Sequence, residues 1–345
     1  MAQDRENESI MFSSVFDVVE AYETGFVGVY ADPEAAAALR SDIAAAGGIP
    51  DGAEACTQYG LTESGAGKLS LPFLEIYKLY PDCLPGGAQG RGDCVSWSTR
   101  NAALGTMCCE ITSGKPDEVS SRLEGAPEVS DVARRFGVIS TEAIYNWRRH
   151  GGDGWSCQAA ARVLLGESGL WLRKNYQELN VDFTEYSARN AGIYGSRTPP
   201  ESWLKVGREH LVRTATEPTG FEELRDLLAN GYCISSCGSE GFSSQRNEHG
   251  VSRRKGSWAH AMAYLGVDDR DVIKQIYGEP LILVQNSWGN WNDGPRRVYN
   301  TDVDIPVGSF WALWSEIKNR SMIAFSGVNG WPPKKLKSFG ALGNI

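Results

Sequence analysis

One cysteine, one histidine and one asparagine stand in this chain where they can do chemistry together. Cys94 closes the glycine-rich stretch GAQGRGDC (87–94) and opens VSWSTRNAALGTMCC, whose apolar residues recur at helical spacing. A helix start lowers a thiol's pKa through its dipole and free N–H groups, and only the thiolate is a nucleophile. Such a thiolate needs an imidazole to take its proton and later to protonate a leaving group. Of the four histidines, His150, His210 and His249 lie in charged or polar contexts and read as surface residues. His260 alone lies in an apolar strand, SWAHAMAYLGV. The next apolar strand, PLILVQNSWG, ends in Asn286, whose side-chain carbonyl can orient an imidazole, and in Trp288, which can shield that bond from water. Gln89, five residues before Cys94, has an amide that can join the Cys94 backbone N–H in holding a developing oxyanion.

The elements that must position these groups read as helices first and strands later. SVFDVVEAYET (14–24) suits a short helix; Asp32-Pro33-Glu34 starts a second, which stops at Gly47-Gly48. Residues 49–70 are rich in Gly, Ser and Thr and read as a linker. GGDGWSC (151–157) is a glycine-rich turn feeding a helix over 157–165, and FEELRDLLANGYCISSC predicts a helix (221–229), a turn and a strand (232–238). Residues 239–256 are polar without period and read as an exposed loop. Strands follow at 257–267 and 280–289, separated by a charged hairpin, then at 308–314 and 321–326 around a short turn. The ends, 1–12 and 331–345, read as a mobile segment and an extended arm. The order predicts an α+β protein with two unlike lobes.

At this point the residues resemble the papain-like cysteine peptidases. The resemblance lies in Gln89…Cys94…Trp97, in His260-Ala-Met-Ala-Tyr-Leu-Gly and in Asn286-Ser-Trp-Gly-Asn-Trp. It implies a papain-like two-lobed fold over 71–330, with a helical lobe at about 90–215, an antiparallel β-barrel-like lobe at about 216–330 and a cleft between them. Residues 1–70 are then an N-terminal extension, a docking or pro-segment. The resemblance implies Cys94 as nucleophile, His260 as base and acid, Asn286 as orienter and Gln89 in the oxyanion hole. It further implies that Gly152, Asp153 and Gly154 offer backbone to a peptide or protein substrate, with Trp288 beside it. No cofactor is implied. Two departures stand out: Val95 follows the nucleophile where the family carries an aromatic residue, and Asp93 precedes it. A carboxylate there is expected to raise the thiol's pKa. Arg91-Gly92-Asp93 matches an adhesion tripeptide but reads as turn residues between glutamine and cysteine.

The totals exclude several classes. With 34 basic and 43 acidic residues the net charge is −9, which argues against nucleic acid as a partner. No apolar run is long enough for a membrane span, and MAQDRENESIMF lacks the apolar core of a secretory signal, so a cytoplasmic or virus-particle location is expected. The eight cysteines show no metal-ligand pairing: Cys233 and Cys237, on one strand, would stand about 13 Å apart. Most are expected to be free thiols, with Cys108-Cys109 in the core. Two functions remain open: a thiol hydrolase of peptide or isopeptide bonds, and a papain-fold structural component of an assembly such as a virus particle, docking homo- or heterotypically through its terminal extensions.

Overall fold

The computed structural model describes residues 11–80, 87–112 and 138–326. Residues 1–10, Cys83, residues 113–137 and the arm at 331–345 lie outside the described residues.

The first helices are set by their caps. Ser14 accepts the Asp17 N–H and opens α1 (Val15–Glu23). Asp32 accepts the Ala35 N–H and opens α2 (Pro33–Ala45), with proline at the position where a missing N–H breaks no helical bond. The stretch expected to be a linker is not one: Asp51 caps α3 (Gly52–Gln58), and β1 (Leu69–Ser70) pairs with the main sheet. The capping acid and the glutamate three residues later, Asp51 and Glu54, carried that helix signal. α4 (Phe73–Leu79) and the long α5 (Cys94–Thr112) follow. Next come α6 (Thr141–Tyr145), α7 (Cys157–Arg162), the small ribbon β2 (Asn175–Tyr176) and β3 (Val181–Asp182), α8 (Ala188–Gly195) and α9 (Glu201–Gly207).

The C-terminal part contributes β4 (Ala215–Thr216), α10 (Phe221–Ala229), β5 (Ile234–Phe242), β6 (Arg254–Asp268), α11 (Asp271–Tyr277), β7 (Leu281–Gln285), β8 (Ser309–Leu313), α12 (Trp314–Ile317) and β9 (Ser321–Phe325). The strands form an antiparallel sheet in the order β4-β9-β5-β6-β7-β8, with β1 also on β6. The charged segment between β6 and β7 is a helix rather than a plain hairpin, because Val272, Ile273 and Ile276 recur at helical spacing and Ile273 is buried. The polar stretch before β6 is not wholly exposed: Val251 and Ser252 are buried, and the Ser252 N–H donates to the Trp311 carbonyl of β8.

α5 packs along β5 and β6 and is buried from Cys94 to Cys109, so the helix carrying Cys94 is the spine of the main core. A second core, Trp171, Tyr176, Phe183 and Trp203, sits in the helical part. The result is a two-lobed α+β protein. A disulfide between Cys157 on α7 and Cys237 on β5 ties the lobes together; Cys56, Cys94, Cys108, Cys109 and Cys233 are buried free thiols. His210, expected at the surface, is buried beside the second core's helices. No helix among the described residues is long and apolar enough to cross a membrane.

Candidate active site

Three elements converge on one point. Cys94 is the first residue of α5, His260 lies on β6, and Asn286 directly follows β7. The β6–β7 register pairs Ala263 with Gln285, which brings the imidazole and the amide to the same end of the sheet. His260 Nε2 lies 2.8 Å from Asn286 Oδ1. That oxygen also accepts the Ser287 N–H at 2.7 Å, so the amide orientation is set and Nε2 must be the donor. The other ring nitrogen, Nδ1, is therefore the one with a lone pair; it is buried without a hydrogen-bond partner. Trp288 covers the imidazole at a ring distance of 4.6 Å and is itself packed by Trp258 and Trp291.

The loop before Cys94 is stitched to the segment after Asn286. The Gln89 N–H donates to the Ser287 carbonyl, the Gly289 N–H donates to the Gly87 carbonyl, and Ser287 Oγ donates to Gln89 Oε1. The glutamine is thus held by the asparagine's own neighbours, whatever the length of its turn. Its Nε2 donates to the Arg91 carbonyl at 2.8 Å and reaches the Tyr22 hydroxyl at 3.5 Å. Arg91 and Asp93 are buried at 2 % and 0 % exposure, so the tripeptide Arg91-Gly92-Asp93 faces no solvent.

Behind His260 the strand register slips. Gly238 pairs with His260, but Glu240 pairs with Ser257, two residues against three. The Arg320 guanidinium fills the gap, donating to the His260 carbonyl at 2.6 Å and to Ser236 Oγ at 3.1 Å while pairing with Glu240 at 3.2 Å. Only glycine fits at 238, since a Cβ there would lie 2.5 Å from Arg320 Cγ. Sequence reading missed Arg320; its only signal is one arginine before an apolar strand.

The N-terminal segment fills the space in front of these groups. The strap, residues 26–30, runs extended between the two lobes: the Gly28 N–H donates to the Ala259 carbonyl, the Trp155 N–H to the Gly28 carbonyl, and the Tyr30 N–H to the Trp155 carbonyl. The backbone partner on the helical side is thus Trp155. Of the neighbours expected in that role, Gly154 donates instead to the Gly92 carbonyl, Asp153 is held by Arg91, and Trp288 stacks on rings. The Cys94 thiol points at the Gly28 carbonyl, 3.5 Å away. Tyr22 of α1 packs its ring on His260 at 4.6 Å and on Trp288 at 5.1 Å, and its hydroxyl lies beside the thiol. A Cβ on Gly28 would stand 2.2 Å from the Tyr22 hydroxyl and 2.8 Å from Cys94 Sγ.

Electrostatics follow from this burial. Desolvation pushes the Cys94 thiol up to about 12, outweighing the bonds from Tyr22 and nearby backbone that pull it down. Desolvation, with Arg320 adding, pulls His260 down to about 3 against its bond to Asn286. Both groups are neutral at pH 7, and the thiol is not hydrogen-bonded to His260 Nδ1. Asp93 adds to the upward push on the thiol, as expected, while burial lifts its own carboxyl to about 8 despite its bond to Tyr186. Among the described residues no three metal-ligating side chains converge.

Fold and site together define a two-lobed α+β protein with a cysteine, a histidine and an asparagine at the lobe junction. No family model and no curated protein matches the chain. Solved structures similar to it include xylellain, a cysteine protease from Xylella fastidiosa, at 16% identity and TM-score 0.46 over 95% of this chain and 99% of that one. Procathepsin L 3 from Tenebrio molitor matches at 11% identity and TM-score 0.42, covering 76% and 70% of the two chains. The ragweed pollen cysteine protease Amb a 11, in its proform, matches at 14% identity and TM-score 0.44, covering 76% and 65%.

Proposed function

We propose that this chain is a thiol peptidase acting on peptide or isopeptide bonds of a peptide or protein substrate, held latent by its own residues 22–30. Cys94 is the nucleophile, His260 Nδ1 the base and then the acid, Asn286 the group that fixes the imidazole, and Gln89 Nε2 one oxyanion donor. The observation that carries the reading is the Gly28 carbonyl against Cys94 Sγ: a peptide bond already lies where a nucleophile would attack one. Attack forms a bond from sulfur to the carbonyl carbon, the thiol proton passes to His260, and His260 returns it to the departing amine as the C–N bond breaks. Water then hydrolyses the thioester.

In the closed form this chemistry is stopped in two ways. Tyr22 fills the space beside Gln89 that an oxyanion needs, and burial keeps the proton on sulfur. Removing the strap rehydrates both groups and lets the helix start and the imidazole compete for that proton. The full burial of Cys94 and His260 favours a second reading, a non-catalytic module of an assembly such as a virus particle.

Gly28→Ala separates the two. The added methyl cannot coexist with the Tyr22 hydroxyl and Cys94 Sγ, so the strap must lift. The expected result is alkylation of Cys94 by iodoacetamide at least 100-fold faster than in the unaltered chain, with peptide hydrolysis appearing alongside and both lost in Gly28→Ala/Cys94→Ala. An exposed, alkylated thiol with no hydrolysis of a peptide library supports the module instead.

A further inference from the structure

Beside the cleft, on the helical lobe, lies a recess of about 370 Å³ lined by Arg91, Arg148, Arg189, Arg197, Gly152 and Met11. Four guanidiniums converge there in a chain whose net charge is −9. Arg189 lies in the first turn of α8 and Arg197 just past its C-terminal cap, both exposed and neither ion-paired among the described residues. Arg91 and Arg148 are buried at 2 % and 5 % exposure and both face the Tyr145 ring, at 5.7 and 4.4 Å. Gly192 of α8 makes the room: a Cβ there would fall 1.6 Å from Arg91 Nη1.

Among the described residues Arg148 has no carboxylate within ion-pair reach. Asp153 accepts from Arg91 Nε at 2.8 Å. Asp93, next along the loop, is largely neutral at pH 7 because burial lifts it to about 8. Arg148 donates only to neutral acceptors, His150 Nδ1 at 3.1 Å and the Gly151 and Gly154 carbonyls, and its Nε is buried without a partner. A buried guanidinium without a carboxylate is costly, and an incoming anion relieves that cost.

The position says where the anion comes from. Arg91 lies three residues before Cys94, and Gly152 belongs to the wall on which the strap is laid. Phe26 of the strap packs over Gly92 beside Asp153, where a Cβ on Gly92 would meet both at 2.7 Å. Chain lying in the cleft therefore passes the mouth of the recess, and the strap presents there an apolar residue that offers Arg148 no anion.

We propose that the recess receives an acidic side chain of the peptide that replaces the strap, so that cleavage is favoured where Glu or Asp flanks the scissile bond. This rests on the peptidase reading, and the test keeps the two apart. Full-length Gly28→Ala, or Tyr22→Ala if that variant does not fold, is first checked for alkylation of Cys94 and for hydrolysis. Matched peptides carrying Glu or Gln at each position around the bond are then compared. The expected kcat/KM ratio is at least 10 for Glu over Gln at one position, falling to about 1 in the added Arg189→Ala/Arg197→Ala variant. A ratio near 1 from the start, or one that survives the arginine replacements, overturns the proposal while leaving the peptidase standing. If no peptide is hydrolysed, the peptidase reading fails and calorimetry on Gly28→Ala/Cys94→Ala decides the recess alone. Binding of the Glu peptide at least 10-fold tighter than the Gln peptide, and lost with the arginines, upholds it. Binding of inorganic phosphate with no Glu/Gln discrimination, or no binding, overturns it.

Discussion

The two walls of the cleft are built on opposite principles. The sheet wall surrounds its functional group with rings: His260 is packed by Trp288, Trp258 and Tyr22 and is held neutral. A buried ion pair on that side, Arg320 with Glu240, serves the backbone behind the imidazole. The helical wall surrounds its functional group with charge: Arg91 with Asp153, Arg173 with Glu142, and Arg148 without a carboxylate. On the peptidase reading proposed above, the imidazole that would move the proton and the guanidiniums that would select the substrate stand on different supports. A neutral, dry imidazole must wait for an ionised partner, whereas an array of guanidiniums is ready for an anion at any pH the protein meets.

The contrast can be broken from the reacting side first. In the Gly28→Ala chain, Cys94→Ala is expected to abolish hydrolysis and alkylation, read by peptide turnover and mass spectrometry. Arg320→Met leaves Glu240 as an uncompensated buried charge and the His260 carbonyl without its donor; a stability loss of about 3–5 kcal/mol is expected in denaturant unfolding. Arg320→Lys, which keeps the charge, should recover part of it. Gln89→Ala in the Gly28→Ala chain should lower kcat by about 10²-fold with a smaller change in KM, as for loss of one oxyanion donor.

The smallest effect sharpens the helical wall. Asp93 has a folded-state pKa near 8, above the ordinary carboxylate value of about 3.9. Between those values the folded protein holds a proton that the unfolded chain has lost. Its contribution to stability is therefore full below about pH 4 and is lost progressively as pH rises through about 8. Asp93→Asn removes that dependence, so melting temperatures measured at pH 5 and pH 8 should lie closer together in the variant than in the unaltered chain.

Much of this arrangement was legible in the sequence. That Cys94, His260, Asn286 and Gln89 could act together is read from residue type and context; the structure bonds His260 to Asn286 and Gln89 to Ser287, and the helix start at Cys94 follows from local turn chemistry. What stayed hidden is long-range. Nothing in Phe26-Val27-Gly28-Val29-Tyr30 announces that its partners are Trp155 and Ala259, because isolated bridges leave no periodic pattern. Cys157 and Cys237, 80 residues apart, pair only because α7 and β5 meet under the strap. Arg148 reads as one of two adjacent surface arginines until its burial on Tyr145 is seen. Helices α3 and α11 were in reach, since Asp51 with Glu54 and the spacing of Val272, Ile273 and Ile276 were there to be read.

The strap belongs to the same chain as the thiol it covers, and that has a consequence for competition. A tethered segment presents itself to its site at an effective concentration in the millimolar range, and dilution of the protein does not lower it. Substrate at micromolar levels meets a competitor that is always in excess. On the proposed reading, latency is then a property of each molecule, and the passage to an open cleft would be governed by events on the chain, such as cutting the tether or anchoring α1 elsewhere, rather than by how much protein or peptide is present.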